Sequence, residues 1–273
     1  MTSEFVSDIF TGKELRLSHS WQWLRSDFAG EFRQLIAGGA DREDSGNEII
    51  WNTRHKYTLK IKTASGRVVA FKHYRTLRLF PYVHHATPTA REAINYQRLQ
   101  LLGMPMAKLL AVGDERDFFR PRSSFIVTEF AENCSDGRKF CPGGELEQNT
   151  AWRNEFCLRN FRLLAKLHDA GIYHRGFTPA NELWRPRTAP DPEGNQLDIV
   201  WIDVASCRRL PGPVLRKKIP DDPVNFLRFF RFAPEEYRPF LEAYCEAAEK
   251  KRFTVGELCS EVKRRLELAQ AEK

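Results

Sequence analysis

The hydrophobic period of this chain changes once along its length, and that change limits the folds open to it. Between residues 48 and 74 three strand-like runs follow one another: Ile49-Ile50-Trp51, Tyr57-Thr58-Leu59-Lys60-Ile61 and, after a turn at Ala64-Ser65-Gly66, Val68-Val69-Ala70-Phe71-Lys72. Alternation puts successive side chains on opposite faces, so this stretch predicts an antiparallel meander. Further on the spacing becomes helical, with Trp152, Phe156, Leu163 and Leu167 on one face of a segment ending near Gly171. Helices over 237–249 and 255–268 follow. A β-rich first part feeding an α-rich second part predicts a two-lobed α+β protein with a cleft between the lobes. The Cys, Gly, Ser and Pro content of 133–144 marks a hinge loop, dividing an N-terminal extension and β-rich lobe (1–132) from an α-rich lobe (133–273).

Smaller elements complete the outline. Trp21, Leu24, Phe28, Phe32 and Leu35 lie near helical spacing and predict an N-terminal helix over 21–36. Thr87-Pro88-Thr89 opens a helix over 90–102, which Gly103 and Pro105 stop. Short strands are expected at 109–112 and 124–129. Two apolar runs, 182–184 and 199–203, flank a polar loop at 185–196.

Composition narrows the function classes. A hydrophobic fraction of 42%, with six Trp and twenty Phe, excludes disorder for the bulk of the chain. No run approaches the roughly 18 apolar residues of a membrane span, and Met1-Thr2-Ser3-Glu4-Phe5 lacks the pattern of a secretory signal, so a cytoplasmic protein is expected. Cys134, Cys141, Cys157, Cys207, Cys245 and Cys259 form no CxxC pair and read as free thiols in a reducing compartment, not as metal ligands. A net charge of +7 favours anionic partners: phosphates, nucleotides or an anionic membrane face. That excess is too diffuse to support a nucleic-acid-binding reading, and no nucleic-acid partner is expected.

Chemistry is most legible in His174-Arg175-Gly176-Phe177-Thr178-Pro179-Ala180-Asn181, which follows the long helix and precedes Asp203 by twenty-two residues. This has the spacing of the protein-kinase catalytic loop, HRDxxxxN, with Gly176 in place of the Asp. Asp203 ends the apolar run Ile199-Val200-Trp201-Ile202, which predicts a buried carboxylate in need of a partner. Upstream, Val69-Ala70-Phe71-Lys72 matches the VAIK strand, and Glu92, in the first turn of the next helix, is placed to pair with Lys72.

The stretch from Ala90 to Pro105 (AREAINYQRLQLLGMP), followed by Leu109-Leu110-Ala111-Val112-Gly113, resembles the bacterial lipopolysaccharide core kinases, the Kdo/heptose kinase family. In these a Glu-bearing helix runs into a GxP…PLAxG strand, and a later ID strand carries the metal-binding Asp. The likeness spans Trp51 to Tyr244, including 224–230 and 237–244 as closing helices. It implies a two-lobed protein-kinase-like fold, with a β-rich N-lobe holding one key helix and an α-rich C-lobe. It further implies that Lys72 holds the α- and β-phosphates of ATP, that Glu92 orients Lys72, that Asn181 and Asp203 bind Mg2+, and that His174 and Arg175 brace the catalytic loop. The implied activity is transfer of the γ-phosphate to a sugar hydroxyl of the lipopolysaccharide inner core, at the inner face of the inner membrane.

Two departures stand against that pattern. Asn52-Thr53-Arg54-His55-Lys56 replaces the Gly-rich turn, which would leave phosphate contacts there to Arg54, His55 or Lys56. Gly176 removes the carboxylate that accepts the acceptor's proton, a loss compatible with a slower enzyme or with a catalytically silent pseudokinase serving as a scaffold. Plainer readings also exist for single residues: Lys72 as a solvated strand cation, Glu92 as a carboxylate favoured by the helix dipole, His174 as a core histidine, and Asn181 as a turn cap. The basic, aromatic loop at 75–85 reads either as a solvated face or as a docking loop for anionic lipid heads or a phosphorylated glycolipid.

Overall fold

The computed structural model describes residues 3–6, 20–75, 87–117 and 120–271. The chain divides into two compact units, one of residues 1–100 and 107–132, the other of residues 101–106 and 133–273.

The first unit holds β1 (Ser3–Val6), β2 (Ser20–Leu24), α1 (Ala29–Ala37), β3 (Glu48–Asn52), β4 (Lys56–Lys62), β5 (Val68–Tyr74), α2 (Pro88–Leu101), β6 (Leu109–Asp117) and β7 (Arg120–Glu129). Among the described residues seven strands form one sheet in the order β1-β2-β6-β7-β5-β4-β3. All neighbours are antiparallel except β1 and β2. Alternation along β4 and β5 buries Tyr57, Leu59, Ile61, Val69 and Phe71 on one face. There they meet Phe28, Phe32 and Leu35 of the α1 region, and Phe125 stacks between Phe32 and Phe71 at 5.5 and 5.4 Å.

One expectation changes here. The helix predicted over 21–36 begins only at Ala29, because residues 20–24 are a strand that pairs with β6 and satisfies its outer edge. The run 48–52 is exposed along its whole length, with Ile49, Ile50 and Trp51 in solvent, since β3 is the last strand of the sheet and carries a bulge.

The second unit holds β8 (Ser135–Asp136), α3 (Thr150–Asp169), β9 (Ile172–Tyr173), β10 (Glu182–Pro186), β11 (Leu197–Trp201), β12 (Arg208–Arg209), α4 (Gly212–Lys218), α5 (Asp221–Leu227), α6 (Pro234–Ala247) and α7 (Val255–Ala271). Strands β11, β10 and β8 form an antiparallel sheet, and β9 pairs with β12. Asn149 caps α3 by accepting from the Trp152 amide at 3.1 Å. The buried face of α3 runs through Phe156, Asn160, Phe161, Leu164 and Leu167, leaving Leu163 only half-buried. The segment expected as a hinge loop carries β8 and a 3-10 turn at Gly137–Phe140. Phe140 draws it inward, packing on Phe156 and Trp184 at 5.3 and 4.7 Å. Gly137 makes this approach possible, since a Cβ there would stand 2.3 Å from the Phe156 ring.

Candidate active site

In the first unit, the alternation that turns Val69 and Phe71 into the core turns Lys72 to the opposite face of β5. There its Nζ donates to both carboxylate oxygens of Glu92, at 3.1 and 2.9 Å. The Glu92 side chain is 2% exposed and that of Lys72 13%. Helix α2 starts at Pro88, capped by the Thr87 hydroxyl, which accepts from the Ala90 amide. Glu92 therefore lies beyond the first turn, and the ammonium rather than the helix dipole accounts for its position. A buried ion pair adds little net stability over an apolar pair of the same shape, which makes this one a candidate for function.

The turn at 52–56 is closed by the Thr53 amide donating to the Lys56 carbonyl at 2.8 Å. Arg75 holds it from the side, donating to the Thr53 carbonyl at 2.6 Å and to Asn52 Oδ1 at 2.9 Å, and pairing with Glu43. Arg54 and His55 are exposed and Lys56 is half-buried. The rest of the basic loop, 76–85, lies outside the described residues.

The segment 174–181 is in the second unit. Phe177 anchors it in the aromatic core, stacked on Phe226 at 4.7 Å and tilted against Trp201 at 5.5 Å. Asp222, fully buried, accepts from the His174 amide (2.9 Å), the Arg175 amide (2.8 Å) and His168 Nε2 (3.0 Å). The loop is thus braced at Arg175 through its backbone, which sits at a left-handed φ of 64°. The Arg175 side chain is exposed. Asn181 Nδ2 donates to the Gly176 carbonyl at 2.9 Å, and the Asn181 carbonyl accepts from the Ile202 amide at 3.0 Å. Asp203 follows β11 in a left-handed conformation, φ 53°. It is half-buried rather than enclosed, because β11 ends at Trp201 and the chain turns at once into a short 3-10 helix, Val204–Ser206.

A Cβ placed on Gly176 would meet Ser206 Oγ at 2.7 Å, and that hydroxyl donates to the His174 carbonyl at 2.9 Å. Ser206 therefore fills the space that a side chain at 176 would enter. His174 is fully buried between Phe177 and Trp201, and neither ring nitrogen has a hydrogen-bond partner among the described residues. Burial holds its pKa below the usual imidazole value. Glu182, equally buried, lies 3.9 Å away, and burial followed by the Asp222 charge holds its pKa well above the carboxylate range. Burial thus disfavours the charged form of each.

The donor set suits magnesium. Because Asn181 spends its NH2 group on the Gly176 carbonyl, its Oδ1 is left as the acceptor, and Asp203 supplies a carboxylate. These are hard oxygen donors. Magnesium takes one or two such ligands from protein and the rest from phosphates and water. Among the described residues no cluster of three or more His, Cys, Asp or Glu forms a self-sufficient metal cage. Sequence reasoning missed Asp222 and Ser206. The Asp221-Asp222-Pro223 start of an apolar helix was a visible signal for the first, and nothing in the local sequence marks the second.

Residues 63–222 match the model of the lipopolysaccharide kinase (Kdo/WaaP) family. No curated protein sequence matches the chain. Among solved structures it is similar to WaaP in complex with acyl carrier protein, with a TM-score of 0.61 and 18% identity over 90% of this chain and 98% of that one. It is also similar to the Rio2 kinase of Chaetomium thermophilum in an ADP/Mg2+-phosphoaspartate complex, with a TM-score of 0.48 and 14% identity over 90% of this chain and 78% of that one. The fold is protein-kinase-like, with an antiparallel sheet in the N-lobe and a helical C-terminal region.

Proposed function

Because the chain belongs to the lipopolysaccharide kinase (Kdo/WaaP) family it is a phosphotransferase, and we propose that it transfers the γ-phosphate of ATP to a sugar hydroxyl of the lipopolysaccharide inner core. The observation that carries the site assignment is the buried Lys72–Glu92 pair. Lys72 binds the α- and β-phosphates, and Glu92 fixes the direction of its ammonium. Asn181 Oδ1 and Asp203 would hold Mg2+, which would supply positive charge to balance that of the phosphates. Arg54, His55 and Lys56 take over phosphate contacts at the turn without glycines.

Phosphoryl transfer passes through a loose transition state, so positioning and electrostatics supply most of the acceleration. The loop that does the positioning is tied down at Asp222, Phe177 and Ser206. Lack of a carboxylate at 176 removes general-base help, typically worth about 10²–10⁴-fold, and sets the rate rather than the class of the reaction. The reaction takes place at the cytoplasmic face of the inner membrane. Peripheral contact there would run through the basic residues of loop 75–85; among the described residues no helix is long and apolar enough to cross a membrane.

Thermal unfolding with ATP, with and without Mg2+, tests the nucleotide site in wild type and Asp203→Ala. Ligand at about 100 times its Kd stabilises by roughly 2.7 kcal/mol. The reading requires this shift to depend on both Mg2+ and Asp203, and a shift indifferent to either would remove the metal assignment.

A further inference from the structure

The second unit contains a cavity of about 470 Å³ whose wall includes Arg175, Arg228 and Arg265, with Val224 and Leu268 as apolar lining and Asp221 as a carboxylate. The three guanidinium groups differ in their partners. Arg265 is neutralised and held in place by Asp221 and by Glu261. Asp221 is further engaged by Lys218 Nζ at 3.1 Å and by the Tyr173 hydroxyl at 3.4 Å, so the carboxylate on this wall is already shared among several donors. Arg175 and Arg228 have no acid partner among the described residues, and Arg228 only lies over the Phe229 ring. Two arginines without an acid partner among the described residues, each carrying a forked donor, thus line one open pocket. That arrangement fits an anion with two or more oxygens.

We propose that this pocket binds an anionic group of the acceptor, a carboxylate or phosphate carried on the sugar chain that is phosphorylated. The proposal rests on the kinase reading above and deepens it. Arg175 is the residue before Gly176, so an anion held by it is anchored to the segment that also positions Asn181. The nucleotide phosphates are assigned to Lys72 and to the Mg2+ that Asn181 and Asp203 would hold, which leaves the acceptor as the source of this charge. Val224 and Leu268 offer apolar surface to the faces of a sugar ring.

The test is calorimetric binding of a de-acylated core oligosaccharide in three forms: intact, phosphatase-treated, and methyl-esterified at its carboxylates. Wild type, Arg228→Gln and Arg228→Lys are compared, and Mg2+-dependent stabilisation by ATP is measured on each. Arg228→Gln is expected to weaken binding of the intact oligosaccharide about tenfold or more, as loss of a charge-assisted contact does, with Arg228→Lys in between. ATP stabilisation stays unchanged in both variants. Whichever treatment of the oligosaccharide weakens wild-type binding to the same degree identifies the group as phosphate or carboxylate. Equal binding by wild type and Arg228→Gln, absence of binding by wild type, or indifference to both treatments overturns the proposal. Loss of ATP stabilisation in wild type would instead count against the kinase reading, since the oligosaccharide arm needs no turnover.

Discussion

Replacing Gly176 tests the relation between this residue and Ser206. Gly176 is not among the residues at positive φ, so its backbone accepts an L side chain, and removing a glycine from such a site stabilises by about 0.4–1 kcal/mol through the unfolded state. Against this stands the 2.7 Å approach of a new Cβ to Ser206 Oγ, while the next neighbours, Asn181 Nδ2 and His174 Nδ1, lie at a comfortable 3.8 Å. Relief requires the hydroxyl to leave the His174 carbonyl, at a cost of roughly 1–3 kcal/mol if that buried acceptor goes unsatisfied. Gly176→Ala should therefore destabilise in the Ser206 background and stabilise, by about 0.4–1 kcal/mol, once Ser206→Ala has removed the offending atom. A denaturant-unfolding cycle over the four proteins reads the reversal as a coupling of about 1 kcal/mol or more, beyond the 0.3–0.5 kcal/mol expected of independent sites. The same logic governs activity. Gly176→Asp alone should gain little, whereas Gly176→Asp with Ser206→Ala should raise turnover toward the roughly 10²–10⁴-fold that a general base contributes. Additive stabilities, or full rescue by Gly176→Asp with Ser206 in place, would refute the reasoning.

Three further outcomes follow from the same geometry. Lys72→Met should cost about 3 kcal/mol by depriving a carboxylate only 2% exposed of its ammonium, and Lys72→Met with Glu92→Leu should recover most of it; urea unfolding of the three proteins decides, and equal losses would show that the pair carries no buried charge. Asp222→Ala should lower stability by about 3 kcal/mol or more, leaving the His174 and Arg175 amides without their acceptor, and should abolish Mg2+-dependent stabilisation by ATP through the loosened loop; retention of both would detach Asp222 from the site. His174→Phe addresses pH. The buried imidazole has a folded pKa below its unfolded value of about 6.5, so the unfolded chain takes up a proton that the folded one refuses, and native stability falls as pH drops below that value. The difference in Tm between the Phe variant and wild type should accordingly move in favour of the variant from pH 7 to pH 5, and a difference constant with pH would mean that His174 titrates alike in both states.

Much of this was legible along the chain because it rests on local regularities. Alternation within 57–61 and 68–72 defines β4 and β5 and places Lys72 opposite the buried Phe71, while helical spacing and a closing Gly define α3. Spacing also singled out Asn181 and Asp203 as candidates for one site. Where expectation failed, a distant partner was responsible. Residues 20–24 have helix-compatible spacing yet form a strand, because β6 offers an unsatisfied edge that only tertiary structure reveals. The run 48–52 forms the strand expected of it, and its exposure follows from being last in the sheet. The Asp203 carboxylate read as enclosed and is half-buried, because β11 stops two residues before it.

The sequence by itself determined the class of elements, the family likeness and the candidate residues for a nucleotide and a metal, since hydrophobic period and motif spacing are properties of the chain. Only the tertiary structure decided what each of those residues is held by. Asp222 reaches back across nearly fifty residues to the His174 and Arg175 amides, Ser206 fills the place beside Gly176, and Arg175 and Arg228 share one wall. Hydrogen bonds and steric exclusion act over a few ångströms in space and are blind to separation along the chain, so no local pattern could announce them.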